Sequence, residues 1–123
     1  MIKVKHYRYI DDEGNVDNYG GVTVANIVED IDSLKVRGGS TYLHFGYAIC
    51  HKHDRFQRKE GNVLAKSRVL ENTLRITSEM YDRADKNINQ LVEYMVGAVL
   101  LGTVNVKIGA FTGIPNVVEK CKS

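Results

Sequence analysis

The sequence has few cysteines and no long apolar run, and several common classes of protein depend on one or the other. Only two of its 123 residues are cysteine, Cys50 and Cys121, which is too few for a disulfide framework and favours free thiols in a reducing cytosol. The longest apolar run, Met95–Leu101, includes Gly97 and is far shorter than the ~20 residues of a membrane span. The charged N-terminus is followed by no apolar segment, so we expect no secretory signal. These absences favour a small cytosolic protein.

The chain also lacks a strong charge of either sign. Its 17 Lys and Arg residues nearly balance 15 Asp and Glu residues, which gives a net charge of +2. This balance excludes a strongly basic nucleic-acid coat protein and an acidic DNA mimic. With 43% hydrophobic and 26% charged residues, one proline and no tryptophan, the composition is ordinary for a globular protein. The length predicts one domain, residues 1–123, built around one core.

The first half of the chain has the alternation of β-strands. "MIKVKHYRYI" and "GGVTVANIVEDI" are predicted to pair across the turn "DDEGN", and "SLKV" is a further short candidate. "STYLHFGYAICH" predicts a long strand with Leu43, Phe45, Tyr47 and Ile49 on its core face. Its other face carries small and polar residues, so another element or a ligand could lie against it.

After His53 the apolar residues recur at helical spacing. Asp54 is a good N-cap for a first helix that runs to about Leu74, and Ser78 can cap a second that ends near Gly102. The second helix has a continuous apolar stripe: Tyr81, Ala84, Ile88, Leu91, Met95 and Val99. "TVNVKIGAF" alternates again and is expected to return to the sheet. The order predicts an α+β fold, with two helices packed on an antiparallel β-sheet.

The second helix is hydrophobic on nearly all sides between Val92 and Leu101. A helix of that kind needs cover on several faces, which a domain of this size can hardly provide. We therefore expect a homodimer or higher homo-oligomer, although a central buried helix in a monomer would have the same pattern.

Cys50, His51 and His53 are as close in sequence as zinc ligands often are. On an extended strand, however, Cys50 points away from both histidines, and the other histidines, His6 and His44, form no second cluster. We expect neither a metal nor a cofactor. The basic residues between 55 and 68 could instead contact nucleic acid, but no known binding motif is readable there.

One stripe of the first helix, formed by Arg58, Gly61, Ala65 and Arg68, has a cation at each end and two small residues between. A glycine inside a helix costs about 1 kcal/mol relative to alanine, so Gly61 indicates the close approach of another backbone or of a ligand. The two guanidinium groups could bind two phosphates of a compact ligand. A solvated helix face with Gly61 at a helix crossing is the alternative.

The segment from residue 38 to residue 68 resembles the first type of phage anti-Thoeris sponge proteins, which sequester nucleotide immune signals. The resemblance covers about a quarter of the chain. It rests on two glycines, a strand and then a Cys, Asp, Phe, basic pair, Gly, Ala and Arg, here Gly38, Gly39, Cys50, Asp54, Phe56, Arg58, Lys59, Gly61, Ala65 and Arg68.

The resemblance implies a phage anti-defence protein in the cytoplasm of an infected or lysogenic bacterial host. Such a protein binds cyclic ADP-ribose derivatives or a related cyclic nucleotide without cleaving them, in an assembly formed through its helices. A sponge also needs arginines for a pyrophosphate and an aromatic ring for adenine. The residues expected at the ligand are Arg58, Lys59, Gly61, Ala65, Arg68, His44, Phe56 and Arg83.

Two other functions remain open from the sequence. A cyclic-nucleotide-degrading enzyme would need a general acid or base, for which His44, His51 and His53 are candidates. No common catalytic motif accompanies these histidines, so we expect a binder and assign no catalytic residue. A phage inhibitor that acts on a host protein or nucleic acid is the other alternative.

Overall fold

The computed structural model describes residues 1–120 and confirms the α+β class. Its largest sheet is antiparallel and has four strands in the order β1-β2-β3-β4. A second, smaller sheet is formed by β5 and β6. The strands are β1 Lys3–Tyr7, β2 Tyr19–Val28, β3 Ser40–Arg55, β4 Asn72–Thr77, β5 Val106–Ile108 and β6 Val118–Lys120. The helices are α1 Arg58–Ser67, α2 Ser78–Arg83, α3 Ile88–Thr103 and α4 Gly109–Thr112, with a 3-10 helix at Ile31–Lys35.

The main core lies between one face of the sheet and α3. Alternate residues of β3 point into it, and Leu43 and Phe45 are fully buried there as predicted. Tyr47 packs against this core, whereas Ile49, also predicted on this face, is 44% exposed. The residues of the apolar stripe predicted for the second helix all belong to this core or pack on it.

The other face of the sheet is covered by α1. The small side chains predicted on this face of β3 leave room for the helix, and Ala48 and Ala65 are both buried at the contact. A Cβ atom on Gly46 would overlap the backbone of Arg68, just after α1 ends. The element expected against this face of β3 is therefore the protein's own first helix.

Several predicted boundaries were wrong. "SLKV" is no strand, since residues 33–35 continue the 3-10 helix. Asp54 does not cap α1, because β3 continues to Arg55, which pairs with Tyr19; the N-cap of α1 is Gln57. The first helix was predicted to run to about Leu74, but residues 72–77 form β4, in which Leu74 and Ile76 face the core.

The single long helix predicted after Ser78 is two helices. Asp85 and Lys86 take left-handed backbone angles, with φ of 54° and 57°, and this ends α2. Asn87 then caps α3 by accepting a hydrogen bond from the backbone of Gln90 at 3.1 Å. Thr77, rather than Ser78, caps α2 through a 3.2 Å bond from Met80 N.

The C-terminal strand is present as β5 and pairs with β6 in the small sheet. A bridge between Arg8 and Val117 connects the segment before β6 to the end of β1. None of the helices in the described part of the chain is both long and apolar enough to cross a membrane. Cys121 lies outside the described residues.

Candidate functional site

Alternate residues of β1 face the two sides of the sheet. The odd positions face α3, where Tyr7 is buried in the main core and Lys5 pairs with Glu93. The even positions face α1, so His6 and Arg8 lie on the same side as the start of that helix. Neither residue was among those predicted at the ligand. The alternation of "KVKHYRY" predicts that both residues lie on one face of a strand. It does not predict that this face lies beside Arg58.

Phe56 joins β3 to α1 and lies between His6 and Arg8. Its ring centroid is 5.6 Å from that of His6, in an edge-on arrangement, and the Arg8 guanidinium lies 4.7 Å from the centroid of Phe56. Phe56 is half-buried over Gly21, where a side chain would overlap the ring. Phe56, one of the residues expected at the ligand, therefore lies between two basic side chains.

Three basic side chains converge at this point, and we call His6, Arg8 and Arg58, with the ring of Phe56, the basic cluster. Arg58 is the first residue of α1 and is exposed. Burial and, to a smaller extent, the charge of Arg58 lower the pKa of His6. The Nδ1 atom of His6 is 2.9 Å from Thr23 Oγ1.

The arginines of the basic cluster, Arg8 and Arg58, have no carboxylate partner in the part of the chain that the structure describes. Arg8 donates one hydrogen bond, of 2.9 Å, to the backbone oxygen of Asp17, and its Nε atom is buried without a partner in the described structure. Two unpaired guanidinium groups beside a histidine attract an oxyanion.

A groove between α1 and β3 has a different character. It has a volume of about 490 Å³, contains Cys50, Asp54 and Glu60, and shares Phe56 with the basic cluster. Burial and these two carboxylates raise the pKa of the Cys50 thiol. The thiol lies 3.4 Å from the backbone oxygen of Asp54. The basic flank next to β1 is therefore the better place for an anion.

The other residues predicted at the ligand lie elsewhere. Gly61 packs against Thr23, and Ala65 is fully buried against the sheet. Arg68 donates a 3.1 Å hydrogen bond to the backbone oxygen of Tyr47. The stripe through these residues faces the sheet rather than a solvent-filled pocket. Lys59 is exposed next to Arg58.

Arg83 ends α2 on the opposite side of the sheet and forms an ion pair with Glu79. It borders an apolar groove of about 760 Å³ that runs along α3 and contains Met95, Ala98 and the exposed ring of Tyr94. Arg83 thus belongs to a different surface from the basic cluster.

His44 lies at a third place, on the α1 face of the sheet. Its Nε2 atom is 2.8 Å from Glu29 Oε1 and its Nδ1 atom is 2.9 Å from Thr73 Oγ1. This carboxylate partner could not be read from the sequence, because Glu29 follows the neighbouring strand β2 and is 15 residues from His44. A hydroxyl, a histidine and a carboxylate in this order are the arrangement that activates a nucleophile.

Among the described residues there is no group of three or more His, Cys, Asp or Glu side chains suited to a metal ion. His51 and His53 lie on β3 with their ring centroids 5.0 Å apart. Comparisons with protein families, with characterised proteins and with solved structures find nothing that matches this chain. The basic cluster therefore has to be interpreted from its own chemistry.

Proposed function

We propose that this protein binds a phosphorylated small molecule of the nucleotide type at the basic cluster and holds it without chemical change. The observation that carries the proposal is the convergence of His6, Arg8 and Arg58 around Phe56, where no carboxylate among residues 1–120 pairs with either arginine. The planar fork of arginine suits phosphate oxygens, and two such groups suit a pyrophosphate. Because Arg58 is exposed, a ligand can reach it from solvent.

The ligand class that we propose to test first is that of cyclic ADP-ribose derivatives and related cyclic nucleotides. The resemblance of residues 38–68 to anti-Thoeris sponge proteins supports this choice, and so does the pyrophosphate of such ligands. On this proposal the protein acts in the cytoplasm of a bacterial host, where it removes an immune signal from its effector.

The experiment is a calorimetric titration of the protein with cyclic ADP-ribose. Wild type should bind, and Arg58→Ala should weaken the affinity by about tenfold or more, which corresponds to the loss of one charge-assisted contact. Lys66→Ala is the matched control, because Lys66 is an exposed cation in the last turn of the same helix. It should change the affinity by less than about twofold.

Two results would contradict the proposal. Equal losses in the Arg58 and Lys66 variants would indicate a diffuse electrostatic surface, as in a nucleic-acid binder, with a steep dependence on salt. No binding by wild type to any ligand of this class would reject the proposed function and favour a host protein as the partner.

A hydrolase is the second candidate function, and the contacts of His44 with Thr73 and Glu29 favour it. In such an enzyme Thr73 would be the nucleophile and His44 the base. Thr73→Ala would then abolish turnover of the cyclic nucleotide, whereas Arg58→Ala, at the other end of β3 from His44, would leave turnover largely intact. A sequestering protein would instead return the ligand intact, with or without Thr73.

We also propose that two copies of the chain associate through the apolar groove along α3. The charged groups at its edge are already paired within the chain, Arg83 with Glu79 and Glu93 with Lys5, so the surface has no charge to select a charged partner. A second copy presents the same uncharged surface. Ala98→Glu should shift the molar mass in light scattering to that of a monomer, whereas Val63→Glu, at an exposed position on α1, should not.

A further inference from the structure

His6 is held in a fixed position within the basic cluster. It pairs with Thr23 across β1 and β2, and its Nδ1 atom contacts the Thr23 hydroxyl at 2.9 Å. The edge-on contact with Phe56 restricts the ring on a second side, and the amide of Asn62 on α1 interacts with it as well. A ligand that binds between Arg8 and Arg58 would therefore lie close to this imidazole.

The charges that face His6 are all positive. Its own strand contributes Arg8, and α1 contributes Arg58. The neighbouring strand β2 contributes the uncharged Thr23, and the segment before α1 contributes Phe56. Protonation of His6 would thus add a third positive charge to a site that already has two, so the ring is neutral near pH 7 without a ligand.

We infer that the basic cluster takes up one proton, at His6, when it binds an oxyanion, so that the affinity increases as the pH falls. This inference rests on the proposed function of the cluster. A bound dianion would offset the charges of Arg8 and Arg58 and would accept a hydrogen bond from a protonated imidazole. Because linkage is reciprocal, a ligand that favours the protonated ring is bound more tightly when the ring is protonated.

The uptake of a proton also favours one class of ligand. A site with three positive charges after protonation is best neutralised by two negative charges close together, such as those of a pyrophosphate or a phosphate monoester. Neutral nucleosides would induce no proton uptake, and a single carboxylate would induce less than a dianion does. His6 is thus inferred to distinguish phosphorylated from unphosphorylated forms of one small molecule.

The test uses two probes, sulfate and cyclic ADP-ribose, whose anionic groups keep their charge in the pH range of the experiment. The pKa of His6 is measured by NMR of the imidazole protons with and without each probe. We expect the bound probe to raise that pKa. The affinity should then fall with increasing pH by up to about tenfold per pH unit, which is the limit for one proton.

Two variants separate His6 from the other titrating groups. His6→Gln should lose the pH dependence of the affinity, whatever its absolute affinity, whereas His53→Gln, at an exposed position on β3, should retain it. A probe that binds to wild type but leaves the pKa of His6 unchanged would overturn the inference and leave the proposed function standing. If neither probe binds at any pH, both the inference and the proposed function fail.

Discussion

Gly61 of α1 and Thr23 of β2 are so close that a Cβ atom on residue 61 would overlap the Thr23 hydroxyl. The same hydroxyl contacts His6 Nδ1 at 2.9 Å. The close approach of the helix to the sheet therefore brings Arg58, one turn before Gly61, next to His6. The absence of a side chain at Gly61 thus lets α1 pack closely on the sheet and places Arg58 near His6.

We predict that Gly61→Ala destabilises the protein by about 1–2 kcal/mol. Alanine gains up to about 1 kcal/mol in helix propensity, but overpacking against a rigid, buried neighbour costs about 1–3 kcal/mol. Thr23 is fully buried in the sheet and has little room to move. The free energy of unfolding in urea is the measurement.

Two further variants test the cause of that loss. Gly102→Ala is the control, since a Cβ atom on Gly102 would meet nothing within 4 Å and should leave the stability unchanged or slightly increased. In the double variant Gly61→Ala with Thr23→Ala, the two changes should couple favourably, by about 0.5–3 kcal/mol. Additive effects would show that the contact with Thr23 is not the cause.

Arg58 and Arg68 are predicted to have separate roles, although the sequence pattern groups them on one stripe. Arg68→Ala should lower the free energy of unfolding by about 1–2 kcal/mol, because it removes a partly buried hydrogen bond to Tyr47 O. It should leave ligand affinity within about threefold. Arg58→Ala should instead weaken ligand affinity and leave the free energy of unfolding nearly unchanged, since that exposed side chain stabilises no described contact. A loss of affinity in the Arg68 variant equal to that in the Arg58 variant would contradict this assignment.

The stability of the ligand-free protein should depend on pH through His6. The fold lowers the pKa of this histidine below its ordinary value of 6.5, first through burial and then through the charge of Arg58. The unfolded chain therefore binds more protons in the range below pH 6.5, so the free energy of unfolding falls as the pH is lowered through that range. His6→Gln should remove this contribution.

The measurement is urea unfolding of wild type and His6→Gln in buffers free of phosphate and sulfate, between about pH 5 and about pH 8. The difference between the two proteins in free energy of unfolding should change with pH mainly below 6.5, with wild type losing more. Parallel curves would show that His6 has the same pKa in both states.

Lys86 is predicted to be a site where glycine is tolerated or favoured. Its φ of 57° is a left-handed angle that costs a non-glycine residue roughly 1 kcal/mol. Lys86→Gly should therefore leave the free energy of unfolding unchanged or raise it by up to about 1 kcal/mol. A clear loss of stability would mean that the lysine side chain makes a stabilising contact at the end of α2.

The fold class could be predicted from the sequence because the alternation of "STYLHFGYAICH" and the stripe from Tyr81 to Val99 each match one periodicity. The break between α2 and α3 at Asp85 and Lys86 could not be predicted, since neither residue is a usual helix terminator. The strand β4 was missed because Leu74 continues the helical spacing of the preceding segment. Local patterns do not show where a helix ends when tertiary packing decides it.

The candidate site was predicted only in part. Arg58 and Phe56 were selected from their own segment, and the need for a close neighbour at Gly61 was recognised. That this neighbour is Thr23, rather than a ligand, depends on the packing of α1 on β2. His6 and Arg8 are about 50 residues away in sequence, and only the pairing of β1 with β2 brings them to Phe56.

The most direct test of the central claim is to recover what the protein holds. Wild type and Arg58→Ala would each be incubated with cyclic ADP-ribose isomers and cyclic di- and trinucleotides, freed of unbound ligand, heat-denatured and analysed by chromatography and mass. We predict that intact ligand is released from wild type and that much less is released from the Arg58 variant. Cleaved product, no captured ligand, or equal capture by the two proteins would contradict the account.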